Sequence, residues 1–226
     1  MVSNRNIPNI LFNYFNRKTN GVLVEVGAAD PIYISVSFNF RPVSVRKKIW
    51  HIKHDPTMEY HGKEPIGNWK IISIEPNPDF CKEFRRCGLE VLEYAACAKD
   101  IEYASFKVSP EPMLSSALEV RHPGPHPIIN DAGGWWPAEQ FKTIGVKALT
   151  LNTILARHHP EVNHIDILLI DVEGWELEVL QGLDLDKFKP NVVVLENYNA
   201  AYQPYMESNG YKLDRKEEQD WFYVRK

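Results

Sequence analysis

The chain has 226 residues, of which 44% are hydrophobic and 25% charged, so it is long enough for a sizeable core and has the composition of a soluble globular domain. Its formal net charge is −4 and its basic residues form no dense run, so we expect no nucleic-acid partner. No apolar stretch approaches the ~20 residues of a membrane span, and residues 1–8 lack the apolar centre of a signal peptide, so we expect no membrane association. The three cysteines, Cys81, Cys87 and Cys97, lack metal-ligand spacing and indicate reduced thiols in a cytoplasmic protein.

The first predicted elements are a helix, a strand and a crossover. Apolar residues at helical spacing in 9–17 predict an amphipathic helix, and an apolar strand follows at 23–26. Residues 32–40 are predicted to hold the first crossover helix. Residues 42–68 contain three prolines, two glycines and three histidines, which predict an inserted loop or a short hairpin. The second strand is predicted at 70–74.

The segment after the second strand begins with a helix signal and ends in an irregular region. Asn77 is expected to cap a helix that begins at Pro78. Residues 89–96 predict a third strand, and residues 103–108 predict a further strand or hairpin arm. Residues 109–145 are rich in Pro and Gly, and we expect them to form a mobile cover over a substrate crevice.

The last third of the chain alternates regularly between helix and strand patterns. The predicted elements are a helix at 150–157, an apolar strand at 165–170, a helix at 175–181, an apolar strand at 191–195, a helix at 198–209 and a terminal antiparallel strand pair at 211–213 and 221–224. Strands that are almost continuously apolar are typical of parallel strands buried on both faces. The alternation therefore predicts one domain, residues 1–226, built on a doubly wound α/β sheet.

Acidic residues end or closely follow the apolar segments. They are Asp30, Glu75, Asp100, Asp171 and Glu196. Because the carboxyl ends of parallel strands lie at the same edge of a sheet, we expect these side chains to converge on one crevice. For any single position the alternative is that the acid caps the following helix, where it interacts with the positive end of the helix dipole.

The end of the first strand has the residues of a ligand-binding turn. Gly27 stands where the backbone must turn, and a residue without a Cβ lets the main chain approach a ligand closely. Glu75 ends the second strand, the position at which nucleotide-binding sheets present an acid to ribose hydroxyls. Together these residues predict a nucleotide or nucleoside site.

Three segments together resemble the FkbM family of S-adenosylmethionine-dependent methyltransferases. They are VEVGA at 24–28, IEPNP at 74–78 and IDVEGWELEVLQG at 170–182. The resemblance extends over about residues 21–197. It implies a Rossmann-like, seven-stranded class I methyltransferase fold, binding of S-adenosyl-L-methionine, and methyl transfer to a hydroxyl group of a sugar, a glycan or another small-molecule acceptor.

The resemblance also implies a set of cofactor-binding residues. They are Glu25, Gly27, Ala28, Asp30, Glu75, Pro76, Asn77, Ala96 and Ser116. Gly27 and Ala28 let the backbone approach the methionine part of the cofactor, and Glu25 can order that loop. Glu75 can accept from both ribose hydroxyls, an interaction of roughly 1.5–3 kcal/mol.

The acceptor hydroxyl needs a base or an orienting group, because its pKa lies far above neutrality. Asp171 is the first candidate for this role and Glu173 the second. The residues expected to contact the acceptor are His122, Trp135, Trp136 and Glu196. Mg²⁺ held by Asp171, Glu173 and Glu196 is an alternative, since hard oxygen ligands suit this ion, but we expect catalysis without a metal.

Two other functions are compatible with parts of the pattern. A nicotinamide-dependent oxidoreductase shares the strand, glycine turn, strand and acid, but the chain lacks G-x-G-x-x-G. A methyltransferase-like domain that binds its ligand without turnover is the other alternative. It is motivated by Asp30-Pro31, which occupies the turn where many family members carry a second glycine, and by the insertion at 42–68.

Overall fold

The computed structural model describes residues 6–33, 35–54, 57–60, 68–108, 117–118, 142–196 and 199–226. Its strands are β1 Val22–Val26, β2 Lys70–Ile74, β3 Ala95–Ala96, β4 Ile101–Val108, β5 Ala117–Leu118, β6 Lys142–Leu149, β7 Ile167–Ile170, β8 Val192–Glu196, β9 Tyr211–Glu217 and β10 Asp220–Arg225. Its helices are α1 Ile7–Tyr14, α2 Val43–Lys53, α3 Pro78–Arg86, α4 Leu151–His158, α5 Glu176–Gln181, α6 Leu185–Phe188 and α7 Tyr202–Ser208, with a 3₁₀ helix at Val36–Phe40. The alternation confirms the mixed α/β class.

The strands form two sheets. The larger has the order β2-β1-β7-β8-β10-β9, and its first four strands are parallel. Strand β10 is antiparallel to both β8 and β9, which confirms the predicted terminal pair. The smaller sheet has the order β3-β6-β4-β5 and contains the strand predicted at 103–108.

Within the described residues the larger sheet has six strands, whereas seven were expected. The segment predicted as the third strand, 89–96, makes one parallel bridge to the larger sheet, between Leu92 and Ile74. The amide of Tyr94 then donates to the carbonyl of Leu92, so the chain turns away from β2. Its last two residues pair with β6 instead.

Both faces of the larger sheet are buried, because successive apolar side chains in its strands point to opposite faces. One face packs against α4, α5 and α7 and carries Val24, Val26, Ile72, Ile74, Leu168, Ile170, Val193 and Leu195. The other packs against α1 and carries Leu23, Ile167, Leu169, Val192 and Val194. The four residues of β7 are all buried, as the continuous apolar run predicts.

The segment between β1 and β2 differs from its prediction. Residues 43–53 form α2, so the irregular loop or hairpin expected at 42–68 is wrong for this part, and residues 61–67 lie outside the described residues. Val45, Ile49 and Ile52 have helical spacing and pack with Phe38 and Cys87. The crossover helix expected within 32–40 is a turn followed by the short 3₁₀ helix.

Helix α2 lies beside α3. Ile49 lies in one apolar cluster with Cys87, which follows the last residue of α3. One turn further along α2, the Nζ atom of Lys53 lies 2.6 Å from Glu83 Oε2 and 2.7 Å from Asp30 Oδ2. The C-terminal end of α2 therefore lies beside the loop that follows β1.

Among the described residues, no helix is both long and apolar enough to cross a membrane.

Candidate functional site

The ends of β1 and β7 touch at Gly27. Its φ of +80° belongs to the left-handed region, and a Cβ atom built on it would lie 1.8 Å from the carbonyl oxygen of Asp171. The amide of Asp171 in turn donates to the carbonyl of Val26 at 3.0 Å. Glycine is required here, as the sequence predicts, but the backbone that approaches it is the end of a neighbouring strand.

Glu25 holds the segment that follows the β1 loop. Its buried carboxylate accepts hydrogen bonds from the hydroxyl of Ser35 at 2.8 Å and from the amide of Ser37 at 3.1 Å. Burial raises the pKa of Glu25, while these hydrogen bonds and the nearby Arg41 oppose the rise. The contacts fit the ordering role that the resemblance implies.

Glu75 joins the loop after β1 to the turn after β2. The residue is 5% exposed. One carboxylate oxygen accepts from the amide of Ala29 at 2.8 Å and the other accepts from the amide of Asn77 at 2.7 Å. Burial raises the pKa of Glu75 to about 7, and the carboxylate of Glu25 adds to the rise. Each carboxylate oxygen has a second lone-pair direction, so a further donor can bind without displacing the two amides.

The residues around Glu75 form the predicted helix start. The side chain of Asn77 accepts from the amide of Asp79 at 3.0 Å and caps α3, which confirms the predicted cap. Pro76 is half-buried, whereas Ala28 is buried directly after Gly27. Ala96 lies buried in β3, in the smaller sheet.

Asp30 is bound within its own loop and to α2. One carboxylate oxygen accepts from the amides of Ile32 at 2.9 Å and Tyr33 at 3.1 Å, and the other forms the ion pair with Lys53. Burial disfavours the charged form of Lys53, but hydrogen bonds to Asp30 and Glu83 outweigh it and raise the pKa of the lysine. Nothing in the sequence pattern singled out Lys53, because it lies in the segment that was predicted to be irregular.

A histidine at the end of α2 packs beside this ion pair. The ring of His54 is stacked on that of Trp50 with 3.7 Å between centroids, and its Nε2 atom lies 3.0 Å from the hydroxyl of Tyr33. His54 therefore packs against aromatic side chains of α2 and of the loop after β1.

Three carboxylates meet at the ends of β7 and β8. One oxygen from each of Asp171, Glu173 and Glu196 lies within 4.8 Å of the others. Glu196 is buried, and the other two are half-buried. The predicted convergence of acids is confirmed for Asp171 and Glu196, and Glu173 lies with them. Their spacing suits either a hard cation or groups that donate protons.

The loop that carries Asp171 and Glu173 is held by Glu176, for which no role was predicted. One oxygen of Glu176 accepts from the amides of Val172 and Gly174, each at 3.1 Å, and the other accepts from the hydroxyl of Tyr202 at 2.5 Å. Burial raises the pKa of Glu176 to about 7. The sequence feature that could have predicted this role is an acidic residue in the first turn of the helix that directly follows the loop.

Asp100 binds the start of a helix, but this helix is α4 and not the element that directly follows Asp100, which is β4. Its exposed carboxylate accepts from the amide of Thr150 and from the hydroxyl of Thr153, both at 2.8 Å, at the start of α4. The helix predicted from Thr150 is confirmed, with the Thr150 side chain accepting from the amide of Thr153.

Four predicted site residues, Ser116, His122, Trp135 and Trp136, lie outside the described residues. The same holds for most of the predicted cover at 109–145, of which residues 142–145 belong to β6 and 117–118 are β5. The expectations for them stay predictions.

Comparison with known proteins identifies the family. The family model described as the methyltransferase FkbM domain matches residues 25–213. A solved structure of methyltransferase FkbM from Methylobacillus flagellatus KT is similar over 91% of this chain, with 14% identity and a TM-score of 0.46, and this chain spans 43% of that one. A search of curated proteins finds no match. Because the family model covers most of the sequence, the chain belongs to the FkbM methyltransferase family.

Proposed function

We propose that this protein is an S-adenosyl-L-methionine-dependent O-methyltransferase whose acceptor is a hydroxyl group of a sugar, a glycan or another small molecule. The observation that carries the proposal is the edge formed by the carboxyl ends of four adjacent parallel strands. At β1 and β2 the buried Glu75 bridges two loops, and at β7 and β8 three carboxylates lie together. Family membership supports the methyltransferase activity.

The residues at β1 and β2 fit the cofactor in kind. Ribose offers two neighbouring hydroxyl donors, and Glu75 offers two carboxylate oxygens that each retain acceptor capacity. Gly27 and Ala28 would then contact the methionine part, on the loop whose following segment Glu25 holds. We infer that the larger sheet is the class I methyltransferase sheet, with the segment at Leu92 in the place of its seventh strand.

The residues at β7 and β8 suit the acceptor. When bound, the cofactor supplies an electrophilic methyl group on a positively charged sulfur. The acceptor oxygen must approach that group in line and lose its proton as the new bond forms. Asp171 is the proposed base or orienting group, with Glu173 as the second candidate. Glu196 would bind the acceptor from the neighbouring strand.

Two experiments test the proposal. S-adenosylhomocysteine should raise the melting temperature of the purified protein, whereas NADH should not. Radiolabelled S-adenosylmethionine should then transfer its methyl group to at least one member of a panel of methyl glycosides and polyols. Stabilisation by NADH alone would favour the oxidoreductase alternative, and binding of S-adenosylhomocysteine without transfer to any acceptor would favour the domain that binds without turnover.

The transfer assay also tests for a metal. We expect activity to persist in EDTA. Loss in EDTA with recovery on addition of Mg²⁺ would assign Asp171, Glu173 and Glu196 as ligands.

A further inference from the structure

We propose that Glu176 is a positioning residue which, together with Tyr202, holds Asp171 and Glu173 in place beside Glu196. We call the three hydrogen bonds that Glu176 accepts, from Val172, Gly174 and Tyr202, the clamp. Its effect on turnover rests on the proposed function, whereas its effect on the conformation of the loop does not. Glu176 is fully buried and its carboxylate accepts from the loop and from Tyr202, so it acts through the loop.

The first half of the clamp encloses Glu173. The two amides that donate to Glu176 Oε1 belong to Val172 and Gly174, the residues on either side of it. Glu173 itself has a φ of +60°, a conformation that residues with a side chain rarely adopt. One buried carboxylate oxygen therefore fixes the turn in which Glu173 takes this backbone conformation, and with it the direction of its side chain.

The second half of the clamp joins two parts of the crevice. Tyr202 is the first residue of α7, the helix that follows β8, and its side chain is 1% exposed. Its hydroxyl donates to Glu176 Oε2 at 2.5 Å. Glu176 thus ties the loop after β7 to the helix after β8, and these two segments flank the three carboxylates.

A clamp is needed at this place because three carboxylates within 4.8 Å of one another repel each other when ionised. A flexible loop would relieve that repulsion by turning Asp171 or Glu173 away. Glu176 is fully buried, so its hydrogen bonds do not compete with water, and it resists this movement. Its role is to keep a set of charges together that would separate on a free loop.

Conservative and disruptive variants separate the clamp from general packing. In Glu176→Gln the amide oxygen can still accept from Val172 and Gly174, and the amide nitrogen can donate to the hydroxyl of Tyr202. Glu176→Leu removes all three hydrogen bonds, and Tyr202→Phe removes one. Tyr205→Phe is the matched control, since it removes a hydroxyl from the same helix. Within the described part of the chain, that hydroxyl donates to the carbonyl of Leu180 at 3.4 Å and not to Glu176.

The first readout does not depend on activity. Amide hydrogen exchange, measured by NMR, should show the amides of Val172 and Gly174 protected in the natural protein, in Glu176→Gln and in Tyr205→Phe. Exchange at both should be at least about 10-fold faster in Glu176→Leu. Unchanged protection in Glu176→Leu would overturn the clamp. If Glu176→Leu does not fold, equal exchange at these amides in Tyr202→Phe and Tyr205→Phe would overturn it instead.

The second readout concerns turnover with an acceptor from the glycoside panel. Tyr202→Phe and Glu176→Leu should lower kcat by about 10-fold or more, because misplacing a catalytic group by a fraction of an ångström is costly. The affinity for S-adenosylhomocysteine should stay within about twofold in all variants, and Glu176→Gln should keep most of its kcat. A kcat in Tyr202→Phe equal to that of Tyr205→Phe would contradict positioning. Absence of transfer by the natural protein would refute the proposed function, while the exchange experiment would still decide the clamp.

Discussion

The carboxyl ends of the four parallel strands β2, β1, β7 and β8 form one edge of the larger sheet. The two halves of this edge use acidic residues in opposite ways. At β1 and β2, Glu25 and Glu75 are buried, and each carboxylate accepts hydrogen bonds from loop groups. At β7 and β8, three carboxylates lie within 4.8 Å of one another, and two of them are half-exposed. The first half uses carboxylates to fix the shape of its loops, whereas the second brings carboxylates together on partly exposed side chains.

The two halves therefore differ in how they affect the free energy of the protein without ligand. Buried carboxylates that accept hydrogen bonds stabilise a preformed surface, on which a ligand binds without much rearrangement. Clustered carboxylates repel one another and so raise the free energy of the unliganded protein. Binding of a proton or a cation relieves this repulsion. Variants of the first half should therefore affect folding and cofactor affinity, and variants of the second half should affect turnover.

The largest expected effect is at Gly27, where the two halves touch. Gly27→Ala places a Cβ 1.8 Å from the backbone oxygen of Asp171, so the ends of β1 and β7 must separate, and we expect a loss of more than about 4 kcal/mol in unfolding free energy. Gly210→Ala is the control, because Gly210 has a similar φ of +82° but no atom of the described residues lies within 4 Å of its Cβ position. It should lose only about 1–2 kcal/mol. Equal losses in urea unfolding would show that backbone strain alone explains Gly27.

The next largest effect is on turnover. Asp171→Asn keeps the shape of the side chain but removes the proton-accepting charge, so kcat should fall roughly 10²–10⁴-fold in the radiolabelled transfer assay. Asp100→Asn is the control, since Asp100 also follows a strand but caps α4. Near-normal turnover in Asp171→Asn would move the base to Glu173.

The elements that could be predicted from the sequence are those whose signal is local. The apolar run of β7, the cap at Asn77 and the glycine at position 27 each follow from the residues at that place. The convergence of Asp171 and Glu196 also follows, because it needs only the parallel order of the strands.

The parts that were missed depend on contacts between distant segments. Helix α2 was hidden because its apolar residues are separated by Arg46, Lys47 and Lys48 and lie among prolines and glycines. The ion pair of Lys53 with Asp30 spans 23 residues, and the bond between Tyr202 and Glu176 spans 26. No periodicity within a single segment encodes such a partner.

The pH dependence of stability should differ between the natural protein and one variant. Glu176 has a pKa of about 7 in the folded protein against 4.5 for a free side chain, so the folded state binds more protons between these values. Its contribution therefore lowers the unfolding free energy as pH rises from about 4.5 to 7, by about 2–3 kcal/mol, and the change ends about one pH unit above 7. In urea unfolding at pH 5, 6 and 8, the unfolding free energy of Glu176→Gln should therefore fall less with rising pH than that of the natural protein. A parallel pH profile for the two proteins would show that the carboxyl is not protonated on folding.

The most direct test of the assignment of the two halves is calorimetric titration of S-adenosylhomocysteine into the natural protein, Glu75→Ala and Asp171→Asn. We predict that the natural protein binds S-adenosylhomocysteine. Glu75→Ala should raise the dissociation constant about 10-fold or more, and Asp171→Asn should leave it nearly unchanged. An unchanged constant in Glu75→Ala would place the ribose elsewhere. No binding by the natural protein, or an equal loss in both variants, would contradict the division of the edge into a half that binds the cofactor and a half that acts on the acceptor.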